Sequence, residues 1–189
     1  MPQMVFEYIL KQHGLTPGKD LIVDQSIDFG STAAAFLSGS GDYTVEFEPF
    51  ATGIEDQKGG YVVASLGSDS GYIPYTSFCA RKSYLAENEK TIQSFTNALQ
   101  KGMDFVKTHS PKEIAAIIKP QFKDTSPETI TTIVKRYQDQ QTWNSDLIYD
   151  EESYTLLCNI LEEAGTIKSR PPYETLIHTI FAQKAVGKQ

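Results

Sequence analysis

Apolar residues in this chain first fall in short alternating blocks broken by glycine and proline, then settle into stripes of helical spacing. Val5, Phe6, Ile9 and Leu10 share one helical face, and Gly14 supplies a left-handed stop. Thr16-Pro17-Gly18 is a turn, followed by a short apolar strand, Leu21-Ile22-Val23. Ser31 or Thr32 is placed to cap a second helix through Ala33, Ala34, Ala35, Phe36 and Leu37, closed by Gly39 and Gly41. Tyr43 to Phe47 reads as a second strand. Pro49 suits the first position of a third helix, which Gly59-Gly60 ends, and Tyr61 to Leu66 reads as a third strand. The order β-α-β-α-β with short connections predicts a parallel sheet covered by helices.

Past Pro74 one further strand is expected at Tyr75 to Ala80, and from about Ser83 the pattern is helical throughout. Ile92, Phe95, Leu99, Met103 and Val106 form one stripe. Ser110-Pro111-Lys112-Glu113 is a capping box with proline at the first helical position, and Pro120 stops that helix. Ser126-Pro127-Glu128 opens another, with Ile130, Ile133, Val134 and Tyr137 inward. Asp150 caps a further helix through Tyr154, Leu157 and Leu161, which Gly165 terminates. No strands follow to receive these stripes. Either the helices pack on each other as a bundle, or they cover a sheet made by other polypeptide.

Composition narrows the function. With 189 residues, 40% hydrophobic and 22% charged, the chain can bury one sizeable core or two small ones. A net charge of −7 without a basic run argues against a nucleic-acid partner, which requires a phosphate-neutralising face. Cys79 and Cys158 form no CxxC pair and have no histidine at metal-ligand spacing, so two buried free thiols are expected, with a disulfide as the alternative. No stretch has the apolar length of a membrane span. The opening MPQMVFEYIL lacks the basic region of a signal peptide and enters a helix without preamble, which suggests a truncated chain.

Ligands of open α/β sheets bind beyond the carboxyl ends of the strands, where helices begin. Ser26 to Thr32 meets that condition: Gly30 admits close backbone approach, and Ser31 and Thr32 bring hydroxyls beside free N–H groups. Glu46 and Glu48 alternate onto one strand face and Phe47 onto the other, just before Pro49. The two carboxylates can hold a donor-rich ligand, stand as solvated rim charges, or act as an acid–base pair. Neither nucleophile, metal set nor cofactor motif accompanies them, so a non-catalytic role is expected. Asp69 to Tyr75 leaves a strand through glycine and proline between Tyr72 and Tyr75, as a crossing between two lobes would. His13, His109 and His178 sit near helix ends, where dipole or capping interactions explain them, and Trp143 reads as a packing anchor.

Three segments, MPQMVFEYILKQHGLTPGKDL, SIDFGSTAAAFLSGSGDYTVEFEPFA and GYVVASLGSDSGYIPYTSFCARKSYL, resemble the nitrate, sulfonate and thiamine-precursor substrate-binding proteins of ABC importers. FTNALQKGMDFV and the late PPYE segment are similar to that family's C-terminal part, so the resemblance covers essentially the whole chain. GDYTVEFEP and IPYTSF are its most specific pieces. The resemblance implies a type II periplasmic-binding-protein-like α/β fold. Residues 1–74 would be one three-layer α/β lobe, and residues 75–189 the return strand and the helices that complete an N-terminal lobe this chain lacks. It implies a small-molecule site with lobe-two contributions from Asp28, Phe29, Gly30, Ser31, Thr32, Glu46, Glu48, Tyr72 and Tyr75. It further implies an ABC permease as partner, an extracytoplasmic location and neither cofactor nor metal.

Glu46 and Glu48 would repel nitrate or a sulfonate and suit an amino-substituted heterocycle, whose ring Phe29 or a tyrosine could stack on. A thiamine-type aminopyrimidine is therefore the expected ligand, with an alkanesulfonate or nitrate as the alternative if those carboxylates point away. Related enzymes that synthesise the thiamine pyrimidine carry a Cys-rich iron-binding segment without counterpart here. A chain without lobe one would expose the stripes of its C-terminal helices and associate as a dimer or by exchange of elements.

Overall fold

A computed structural model of the chain describes residues 1–187, and these are mostly helical. In order, the helices are α1 (Pro2–Gln12), α2 (Thr32–Leu37), α3 (Phe50–Asp56), α4 (Leu66–Asp69), α5 (Lys82–Glu87), α6 (Glu89–Thr108), α7 (Pro111–Ile118), α8 (Pro127–Asp139), α9 (Glu151–Glu163), α10 (Tyr173–Leu176) and α11 (Ile180–Ala185).

The start and stop signals act as their chemistry dictates. Ser110 accepts a bond from the Glu113 N–H while the Glu113 carboxylate accepts one from the Ser110 N–H at 2.9 Å, a closed capping box at the head of α7. Ser126 caps α8 through the Thr129 N–H at 3.0 Å, and Asp150 caps α9 through the Ser153 N–H at 2.8 Å. Gly14 and Gly165 take the left-handed conformation, with φ of 72° and 68°. At the end of α3 that conformation falls on Lys58, one residue before the expected glycines. Gly59 and Gly60 serve proximity instead: a Cβ on Gly59 would lie 2.1 Å from Leu37 Cδ2, and one on Gly60 2.9 Å from the Phe36 ring.

The stripes of the C-terminal helices cover one another. α7 packs on α8 around buried Ile114, Ala115, Ile130 and Val134, with Phe105, Val106, Ile118 and Trp143 closing the edge. α11 packs on α6, and α9 receives α1 from the other end of the chain, where Ile9 and Leu10 are buried. This is the bundle-like alternative, and it removes the expected exposed C-terminal stripes as the main sticky surface. Most exposed large apolar residues instead precede residue 80.

The expected strands are not formed. Leu21–Val23, Tyr43–Phe47, Tyr61–Ser65 and Tyr75–Ala80 run without a ladder, and Leu66 opens α4 instead of ending a strand. Among the described residues the β pairing is a single isolated bridge between Pro17 and Leu21. An extended segment becomes a strand only when a neighbour supplies cross-strand hydrogen bonds and side-chain pairs, and no other described segment forms a ladder with these. Their apolar residues consequently face solvent: Ile22 is 90% exposed and Tyr61 84%. The accessible surface, 13,035 Å² for 21.0 kDa, stands against about 9,000 Å² for a compact monomer of that mass. Both cysteines are free, but only Cys158 is buried; Cys79 lies exposed on the last extended segment, where no packed layer covers it.

Candidate functional site

Three separate segments meet through their aromatic rings. Phe29 meets Phe47 edge-on at 5.4 Å, and Phe47 meets Tyr75 edge-on at 5.6 Å. Phe29, Phe47 and Tyr75 remain 46%, 39% and 59% exposed. The cluster joins the residue 28–32 segment, the run before α3 and the crossing after Tyr72, which are the three regions singled out in the sequence. Phe47 joins them although strand alternation placed it opposite Glu46 and Glu48. Alternation assigns faces only in a paired strand, and this segment is unpaired.

Asp28 is exposed and precedes a single 3₁₀ turn, Phe29–Ser31, that feeds α2. The expected caps are not made. Ser31 occupies the cap position without a side-chain bond, and the Thr32 hydroxyl donates back to the Phe29 carbonyl at 2.9 Å. A Cβ on Gly30 would meet nothing within 4 Å, so this glycine leaves open backbone beside Phe29.

The two carboxylates have different fates. Glu46 accepts the Thr44 hydroxyl at 2.7 Å. Glu48 turns inward, its side chain 5% exposed, accepts the Thr52 N–H at 3.0 Å and pairs with Arg136 Nη1. Arg136 also reaches Glu55 at 2.6 Å and the Thr52 hydroxyl at 3.3 Å. One guanidinium from α8 thus ties both ends of α3 and neutralises a carboxylate expected to face ligand. Sequence reading missed Arg136 because, in KRYQD near a helix end, it reads as a solvated charge.

The Val62 N–H, donating at 2.9 Å, and the Arg136 guanidinium hold the Glu55 carboxyl below its ordinary value against the opposing effect of burial. Burial alone would lower Arg136, but Glu55 and Glu48 outweigh it and hold the guanidinium above its ordinary value. A depressed carboxyl contributes stability above its unfolded value of 4.5 and loses it as pH falls through the lowered folded value. Replacing Glu55 with Gln is therefore expected to flatten the acid limb of thermal stability as pH falls below about 6, measured by scanning calorimetry. An unchanged limb would show that this contact does not govern it.

Tyr72 does not join the cluster by any ring contact among the described residues. Its hydroxyl donates to Gln141 Oε1 at 3.4 Å, beyond the end of α8. Trp143 packs edge-on against Tyr137 at 5.7 Å, as an anchor would. His109 stacks on Phe105 and bonds its carbonyl at 2.9 Å at the end of α6, and His178 stacks on Phe181. Among the described residues no group of three or more His, Cys, Asp and Glu is placed to hold a metal, and no helix is long and apolar enough to cross a membrane.

Residues 1–120, which contain the whole aromatic cluster and both carboxylates, match the model of the NMT1-like family. The chain belongs to the NMT1-like family. It is also 41% identical over all 189 residues to a protein of Bacillus subtilis (strain 168) named "Putative binding protein YtlA". The chain spans 57% of that relative's length. No solved structure matches. Membership in the NMT1-like family agrees with the coarse resemblance seen in the motifs, and the relative's name is that of a binding protein, not an enzyme.

Proposed function

We propose that this chain forms part of the solute-binding component of an ABC import system and holds a small planar ligand against Phe29, Phe47 and Tyr75. The observation that carries this reading is the cluster itself. Three half-exposed aromatic residues, brought together from separate segments, are suited to stack on a flat solute, and such contacts add about 0.5–1.5 kcal/mol beyond area burial. Family membership and the binding-protein name of the relative support it. Residues 1–74 act as one lobe and residues 75–189 as the helical part of the other. The extended segments take their places in sheets completed by polypeptide beyond this sequence. The partner is a permease, and the setting is extracytoplasmic.

Glu46, whose remaining acceptor capacity suits ring amino groups, favours an aminopyrimidine of the thiamine-precursor type. An alkanesulfonate is the second reading, favoured by the pairing of Glu48 with Arg136, which removes one of the two charges that would repel an anion.

Thermal unfolding with an aminopyrimidine, an alkanesulfonate and nitrate tests this. A ligand at a hundredfold excess over its dissociation constant should stabilise the native state by about 2.7 kcal/mol. Phe47→Ala should weaken binding about tenfold, equivalent to about 1.4 kcal/mol, because Phe47 touches both other rings. Midpoints unmoved by all three solutes would overturn the proposal.

A further inference from the structure

The C-terminal end of α8 reaches into three separate segments of the first half of the chain. Arg136 pairs with Glu48 and, at 2.6 Å, with Glu55. Gln140 Oε1 accepts the Ser65 hydroxyl at 2.7 Å, and Gln141 Oε1 accepts the Tyr72 hydroxyl at 3.4 Å. Arg136 and Gln140 lie one turn apart on the same helix face, and Gln141 follows the cap.

Two of these anchor points stand beside rings of the aromatic cluster. Glu48 directly follows Phe47, whose carbonyl accepts the Phe50 and Ala51 N–H groups at 2.9 and 3.2 Å, so Phe47 moves with α3. Arg136 grips α3 through Glu48 at its start and Glu55 near its end. On the other side, Tyr72 is joined to Tyr75 through Ile73 and Pro74, and the proline ring restricts the backbone of that short link. Phe47 and Tyr75 meet edge-on at 5.6 Å. One helix end therefore holds both partners of this contact, Phe47 through Arg136 and Tyr75 through Gln141.

The backbone at Gln141 points the same way. Its φ of 55° lies in the left-handed region that favours glycine, at the position after the cap where helices very commonly carry one. Gly14 and Gly165 occupy that position after α1 and α9. Glutamine accepts backbone strain there that glycine would avoid, and what it brings is a side-chain acceptor for the Tyr72 hydroxyl.

We propose that the C-terminal end of α8 is the positioning element of the ring cluster: Arg136 sets Phe47 and Gln141 sets Tyr75, so the helical half of the chain fixes the spacing of the rings. The use of that spacing rests on the solute-binding reading given above, whereas the spacing itself is a property of the free chain.

Nuclear magnetic resonance on the full chain without solute tests this, through cross-relaxation between the ring protons of Phe47 and Tyr75. Gln141→Gly is expected to lose most of that cross-peak, keep the one between Phe29 and Phe47, and melt no lower than the parent. Gln141→Glu, which keeps an acceptor for Tyr72, should retain both. Arg136→Lys should weaken both, because α3 carries Phe47 away from its two neighbours together. A Phe47–Tyr75 cross-peak unchanged in Gln141→Gly overturns the proposal, whether or not Arg136→Lys folds. So does its loss in Gln141→Glu, unmoved peaks in a folded Arg136→Lys, or a fall of both peaks together with the melting midpoint in Gln141→Gly. A parent that binds none of the three solutes, yet loses the cross-peak in Gln141→Gly, would sink the solute reading and leave the positioning role standing.

Discussion

Replacing Arg136 with methionine is expected to destabilise the protein by about 3 kcal/mol, the lower end of the cost of breaking a buried ion pair from one side. The loss comes from what remains behind. Glu48, at 5% side-chain exposure, would keep the Thr52 N–H and lose its counter-charge, and Glu55 would lose its nearest cation. For a chain of this size that corresponds to a fall in melting temperature of about 6–12 °C. Arg136→Lys should recover only part, because a single ammonium cannot serve Glu48, Thr52 and Glu55 with one planar fork. Adding Glu48→Gln to Arg136→Met should recover stability, since it removes the stranded charge. Thermal melts of the four proteins check this. A single variant within 0.5 kcal/mol of the parent, the ordinary scatter of surface substitutions, would mean that the bridge contributes nothing.

Ile160→Ala is expected to cost about 3–4 kcal/mol, within the range for deleting a buried branched side chain. Ile160 is 1% exposed, in the helix that receives α1. The exposed Lys11–Glu163 pair at 2.7 Å crosses the same junction and should matter little, so Lys11→Ala serves as the control at under about 1 kcal/mol. Denaturant titration measures both. In Ile160→Ala the amides of α1 should lose exchange protection before those of α7 and α8, whose core around Ile130 and Val134 is separate. Equal costs for the two variants would contradict the packing account.

The helices were legible because their signals are local. Ser110, Ser126 and Asp150 act within one turn, and the stripes through Ile130 and Val134 report their own buried face. The strands were not, because alternation in Tyr43–Phe47 or an apolar run in Tyr61–Ser65 shows that a segment can pair, and a partner must still lie beside it. The candidate site divides in the same way. Phe29 and Tyr75 were singled out with their loops, whereas Phe47 was set opposite the two carboxylates by a period that applies only within a sheet. Arg136 lies 88 residues from Glu48, and nothing in the local sequence of either announces the other. The glycine pair after α3 shows an intermediate case: its presence marked a boundary, but its reason is the proximity of Phe36 and Leu37.

The large solvent-facing area of this chain bears on how it comes apart. Denaturant sensitivity and the heat capacity of unfolding both scale with the surface newly uncovered when the structure melts. A chain that already shows 13,035 Å² to water has less left to uncover than a compact protein of equal length. Its transition in urea is accordingly expected to be shallow and its stability curve flat with temperature, with little contribution to either from its extended segments.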